Sequence, residues 1–147
     1  LLAGDETAVP AIAAALELHR PDPGDPVGTL AALGGFEIAA MAGAFLGGAK
    51  YGIPIVIDGV ISAVSALIAA RIRPEAVRYM LPSHMSRSPA SAPVMRALGL
   101  APVIDAGMAL GEGTGAVMLF PLLDMAKALY DSAHTFGNLN MEAYKPL

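Results

Sequence analysis

The chain contains no cysteine, which excludes a disulfide framework and any thiolate metal site. Its histidines, His19, His84 and His134, lie far apart and match no ligand spacing such as His-Glu-x-x-His, so neither a metal nor metal catalysis is expected. Charge is sparse, with only 15% of residues charged and a net charge of −4. The nine Lys and Arg are scattered, apart from Arg71 and Arg73 at one helix end, where they answer the helix dipole. No basic stripe for nucleic acid results. A basic-then-apolar opening is also missing, so no signal peptide is expected in the chain as given, and nothing points to an oxidising compartment.

Apolar residues, by contrast, are abundant. They make up 55% of the 147 residues and the mean hydropathy is +0.58, so membrane spans must be tested first. The candidates are Phe36 to Ala49 and Ile53 to Ala70. The first carries Glu37 and several glycines and falls short of the roughly 20 residues that a bilayer crossing needs. The second is divided by Pro54, Asp58 and Gly59 into a short β-branched run, a turn and an Ala-rich helix. Parallel sheets buried on both faces produce such continuous apolar strands, so no membrane partner is expected. The length suits one domain with a real core.

Helical and strand-like segments alternate along the chain. Ala8 to Leu18 reads as a helix with His19 and Arg20 in its last turn, and Pro21 to Pro26 as a loop. Gly34-Gly35 opens a second helix through about Ala49. Ile53 to Ile57 reads as a buried strand, Ile61 to Ile72 as a helix ending before Pro74, and Pro82-Ser83-His84 as a strand end and loop. Ala92 to Leu98 is a helix closed by Gly99, Pro102 to Asp105 a short strand, and Thr114 to about His134 the last long helix. This alternation predicts an α/β fold, a parallel sheet flanked by helices in a Rossmann-like three-layer arrangement. Ligands on such sheets bind beyond the carboxyl ends of the strands. That rule selects Asp58-Gly59, Ser83-His84 and the loop Gly111-Glu112-Gly113-Thr114-Gly115.

The last of these carries the clearest chemistry. Glycines on either side of Glu112 let the backbone approach a ligand, and Glu112 is the one group there able to move a proton. A phosphate cradle would present bare N–H groups, so a fixed carboxylate suggests a general base facing a neutral or cationic ligand. Bland readings stand beside these. Glu112 and Glu37 could be first-turn acids stabilising helix dipoles, and Asp58 could cap the helix that follows it. Ser83 and Ser86 could brace the turn around Pro82, and His84 could be a satisfied loop histidine. Gly43, Gly47 and Gly48 would permit close helix packing or a dimer interface, and Met108, Met118 and Met125 would fill core.

Four blocks then stand together: Gly34-Gly35-Phe36-Glu37-Ile38-Ala39-Ala40-Met41-Ala42-Gly43, Ile57-Asp58-Gly59, Ser83-His84-x-Ser86 and Gly107-Met108-x-Leu110-Gly111-Glu112-Gly113-Thr114-Gly115-Ala116. In order and spacing they resemble the C-terminal portion of the nicotinate-nucleotide:dimethylbenzimidazole phosphoribosyltransferase family, over roughly residues 10 to 136. The resemblance implies that residues 1–147 are the C-terminal part of a single α/β phosphoribosyltransferase domain whose N-terminal half is absent. It implies transfer of the phosphoribosyl group of nicotinate mononucleotide to dimethylbenzimidazole, giving nicotinate and the α-ribazole phosphate of the cobalamin lower ligand. Glu112 would take the proton from the benzimidazole as its other nitrogen attacks the ribosyl carbon. Asp58, Gly59 and Ser86 would lie at the nucleotide and Leu110 beside the base pocket, with Gly111 and Glu37 also binding substrate. No cofactor, a homodimer and a cytoplasmic location are implied as well.

Some positions depart from the family pattern. Ser88 stands where the family has Glu, Ala109 where it tends to have Arg, and no Lys lies near Ala8. A lost cation facing a phosphate would weaken nucleotide binding by about 1.5–3 kcal/mol per charged hydrogen bond, with Arg87 a candidate to compensate. These departures leave open an alternative, a divergent nucleotide- or azole-binding relative without turnover.

Overall fold

The structure is a computed structural model that describes residues 8–134, 137–142 and 145. The opening Leu1 to Gly4 and the side chain of Ala8 lie outside the described residues. In chain order the elements are α1 (Ala8–His19), α2 (Pro26–Leu33), α3 (Phe36–Tyr51), β1 (Ile55–Ile57), α4 (Val60–Ile72), a 3-10 helix (Pro74–Tyr79), β2 (Met80–Pro82), β3 (His84–Ser86), α5 (Ser91–Leu98), β4 (Ile104–Met108) and α6 (Thr114–Ser132). The expected α/β alternation is present. Among the described residues no helix is long and apolar enough to cross a membrane, and Ile53 to Ala70 is broken into strand, turn and helix.

Several elements depart from the expected course, β4 among them, which runs over Ile104–Met108 where Pro102 to Asp105 was expected. The segment 26–33 is helical. Its Asp25 side chain accepts the Gly28 N–H at 2.9 Å and Pro26 fills the first turn, where a missing N–H costs nothing. His84 to Ser86, expected as loop, pairs as a strand with β4. The expected strand from Ile53 is also shorter: Ile53 is 59% exposed and pairing begins at Ile55, because Pro54 has no N–H to give a ladder.

Pairing is parallel throughout but falls into two short sheets among the described residues, β1 with β2 and β3 with β4. They meet at Ser83. Its N–H donates to the Ile57 carbonyl at 3.0 Å and its carbonyl accepts from the Ile104 N–H at 2.9 Å, so β1 ends and β4 begins beside the middle of the 80–86 segment.

The core forms where α3 and α4 pack over β1. Ala42 and Phe45 of α3 meet Ile57 and the Ala63, Ala66 and Ala69 face of α4, with Met80, Met95 and Leu98 closing the cluster. Alanines at three-residue spacing leave α4 a flat stripe on which a second helix can lie close. Of the methionines expected to fill core, Met108 is partly buried and Met118 and Met125 of α6 are 46% and 56% exposed, while Met80 and Met95 do fill it. The outward side of α6 also leaves Val117, Phe120 and Leu129 exposed.

Of the three glycines in α3, one is needed for contact. A Cβ on Gly48 would lie 2.7 Å from the Ile53 carbonyl oxygen and from the Ile55 side chain, whereas Gly43 and Gly47 have open space. Because the obstacle at Gly48 includes backbone, it cannot rotate away. Gly48→Ala is expected to destabilise the fold by about 1–3 kcal/mol, while Gly47→Ala should be neutral or stabilise by up to about 1 kcal/mol through its better helix propensity. Denaturant titrations of the two variants check the contrast.

Candidate active site

The strand ends and the turns that follow them build one cleft. It holds about 690 Å³ and is lined by Glu37 and Met41 of α3, Asp58 and Gly59 after β1, Val60, Ile61 and Ser62 of α4, His84, Ser86 and Ser88, and Ala109, Gly111, Glu112 and Gly113. Asp58 and Glu112 share this cleft at one end of the sheets, the placement that open α/β geometry demands. Of the sequence-derived site residues, Glu37, Asp58, Gly59, Ser86, Gly111 and Glu112 all line it. Leu110 is not among the lining residues: it is 75% exposed and stands between two lining neighbours, Ala109 and Gly111.

Glu112 is held in an unusual backbone state. Gly111, Glu112 and Gly113 have φ of 78°, 57° and 79°, three successive residues in the left-handed region. Glycine adopts it freely, whereas Glu112 pays roughly 1–2 kcal/mol for it. The turn is closed by the Gly111 carbonyl, which accepts both the Thr114 N–H at 3.0 Å and the Thr114 hydroxyl at 2.7 Å. Such strain in a non-glycine residue concentrates at functional sites. The helix-dipole reading of Glu112 fails, since α6 begins at Thr114 and has no acid in its first turn. Glu37, by contrast, does occupy the first turn of α3 while lining the cleft.

Asp58 caps a helix, though not the one that follows it. Its Oδ2 accepts the Gly113 N–H at 3.2 Å and its Oδ1 the Ala116 N–H at 3.0 Å, both at the start of α6. The following helix, α4, starts at Gly59 with no side-chain cap, so its first-turn N–H groups and partial positive charge are left to the cleft that Val60, Ile61 and Ser62 line. Ser83 braces the same corner. Fully buried, its Oγ lies 2.7 Å from the Ile57 carbonyl, 3.1 Å from the Asp58 carbonyl and 3.1 Å from His84 Nδ1. His84 is 4% exposed and its ring rests on Gly115, where a Cβ would overlap it. It is thus a buried histidine on the wall of the cleft, held through Nδ1.

Lining carboxylates number three, Glu37, Asp58 and Glu112, and the lining holds no Lys or Arg. That charge suits a neutral or cationic ligand. Arg87, the candidate to replace a lost cation, is exposed and absent from the lining, whereas Ala109 and Ser88 belong to it. Among the described residues no three His, Asp or Glu gather closely enough to hold a metal ion. The residues that sequence reasoning passed over are Met41, Val60, Ile61 and Ser62. Met41 was recoverable as the i+4 neighbour of Glu37 on one helix face, and the other three as the turn that any strand-to-helix junction puts over its ligand.

A family model described as Phosphoribosyltransferase matches residues 4–140, and the chain belongs to that family. Its curated relatives carry a more particular name. The chain is 47% identical over 133 residues to the nicotinate-nucleotide–dimethylbenzimidazole phosphoribosyltransferase of Ruminiclostridium cellulolyticum, covering 90% of this chain and 38% of that protein. It is 48% identical over 133 residues to the protein of the same name from Clostridium acetobutylicum, with the same coverage of each, 90% and 38%. A crystal structure of the Thermus thermophilus protein of that name superposes with a TM-score of 0.79 at 38% identity, covering 91% of this chain and 40% of that one. The chain thus spans about two fifths of the length of the relatives it matches.

Proposed function

We propose that this chain supplies the base-bearing side of an enzyme that moves the phosphoribosyl group of nicotinate mononucleotide to dimethylbenzimidazole. One azole nitrogen attacks C1 of the ribose, the bond from C1 to the nicotinate nitrogen breaks, and nicotinate leaves. The proton on the other azole nitrogen passes to the Glu112 carboxylate, and α-ribazole phosphate results. One observation carries this reading: Glu112 is a strained, left-handed residue on the wall of a cleft with carboxylates and no cation. An acid held there serves a neutral azole and tolerates a cationic pyridinium leaving group without a metal.

Gly59, Ser86, Gly111 and Glu37 are the substrate-binding residues of this reading, with Asp58 on the same wall and Leu110 at the rim. The uncapped start of α4 favours the nucleotide's anionic end near Gly59. The reading further implies a cytoplasmic homodimer making the lower ligand of cobalamin. The apolar side chains that α6 leaves exposed, Phe120 and Leu129 among them, are surface for further chain or a second copy to cover.

The test is release of nicotinate and formation of α-ribazole phosphate, followed chromatographically, by a chain of the relatives' full length that carries this sequence. Turnover is expected there. The 147 residues alone hold the acid but present a cleft open to solvent, so they should bind the nucleotide weakly and transfer nothing measurable. Nucleotide binding without turnover in the long chain would instead identify the divergent, non-catalytic relative.

A further inference from the structure

We propose that Asp58 is the positioning residue for Glu112: it holds the turn that presents the proton acceptor and affects turnover through it. The inference rests on the reading of Glu112 as the base.

Glu112 sits between two glycines, and three successive left-handed residues form a turn with many competing conformations, since glycine restricts the backbone least. Gly113, the residue before α6, has no side chain to cap the helix. The cap comes instead from another element. Asp58 reaches across 55 and 58 positions of chain to take the Gly113 and Ala116 N–H groups on its two carboxylate oxygens. One of these amides belongs to the residue directly after Glu112, so the clamp fixes one end of the strained turn. The clamp is itself anchored. Ile57, the preceding residue, is fully buried, and the Ser83 hydroxyl lies against the carbonyls of both Ile57 and Asp58. A carboxylate with each oxygen committed to a backbone amide is placed to hold protein. Charge adds to the effect, because an anion at the start of α6 complements that helix dipole.

The experiment is a double-mutant cycle in a chain of the relatives' full length, measuring kcat and both KM values for the wild type, Asp58→Asn, Glu112→Gln and the double variant. Asn keeps the volume but offers one acceptor oxygen for two amides. Asp58→Asn is expected to lower kcat by up to about 10²-fold, the usual penalty for misplacing a reacting group by an ångström, with both KM values nearly unchanged. In the Glu112→Gln background the same substitution should cost little more, because groups that act as a unit are not additive. Full additivity, or a raised KM for nicotinate mononucleotide at unchanged kcat, overturns the proposal and makes Asp58 a substrate ligand. If Glu112→Gln alone leaves kcat intact, the base reading fails first, and the two failures are thereby told apart. Ala116→Pro guards against a folding defect at position 58. It deletes one of the two donors at the third helical position, whose N–H has no intrahelical partner, and a thermal melt run beside the kinetics shows whether the fold is kept. It should lower kcat with KM unmoved, and an unchanged kcat in that variant also overturns the proposal.

Discussion

Glu112→Gln in a chain of the relatives' full length is expected, on the proposed reading, to cut kcat by about 10²–10⁴-fold, the usual worth of a positioned general base, while nicotinate mononucleotide binds almost as before. In barrier terms this is about 3–5 kcal/mol. Gln keeps the shape and the polarity of the side chain and loses only the ability to accept the azole proton, so a loss confined to kcat assigns the effect to the transition state. Single-turnover kinetics with nucleotide binding measured by calorimetry separate the two. An unaltered kcat would mean that the azole loses its proton elsewhere. Glu112→Gly offers an independent check on the strain at φ 57°. It removes the acceptor and relieves roughly 1–2 kcal/mol of left-handed cost, against about 0.4–1 kcal/mol of added unfolded-state entropy. Its melting temperature should therefore not fall although turnover does. A variant both inactive and destabilised would show that the turn stores no such strain.

In the same full-length chain, Gly115→Ala should damage both stability and turnover. On helix propensity alone, Ala for Gly stabilises by about 0.5–1 kcal/mol. Here the sign reverses. A methyl at Gly115 overlaps the His84 ring, and that ring is 4% exposed with Nδ1 3.1 Å from the Ser83 hydroxyl, so turning it toward the cleft it lines would cost that contact. Overpacking a buried site costs about 1–3 kcal/mol. If the ring stays on Ser83, relief requires α6 to move, and α6 begins directly after the Glu112 turn. Thermal unfolding and kcat measured together should both fall. A gain in melting temperature with normal turnover would show that His84 yields freely.

Much of the element order was legible from local punctuation. Gly52 and Gly99 end α3 and α5 in the left-handed state, with φ of 70° and 68°. Arg73, the residue before Pro74, ends α4. These stops depend on a few neighbouring residues, which is why sequence reveals them. The same rules could have shown α2, since Asp25-Pro26 is a helix start as well as part of a loop-like cluster. The strand His84–Ser86 was not recoverable that way, because three residues carry too little periodicity to separate strand from loop. The candidate site was legible as a set of motifs at strand ends, and Glu112, Asp58 and Ser86 do meet in one cleft. Leu110 stands exposed outside that lining, since which side chains line a cleft depends on their direction, which motif order does not carry.

The sequence by itself determined the α/β alternation, the absence of thiolate chemistry and the isolated carboxylate among glycines, because each follows from residue type and short-range spacing. Only the tertiary structure decided what Asp58 does. From sequence it reads as the cap of the helix after it, yet its carboxylate serves the Gly113 and Ala116 amides, 55 and 58 positions away. Which amides an acid reaches is settled by the packing of elements remote in the chain. Here that packing is the meeting of β1, the 80–86 segment and β4 at Ser83, which brings the start of α6 to the end of β1.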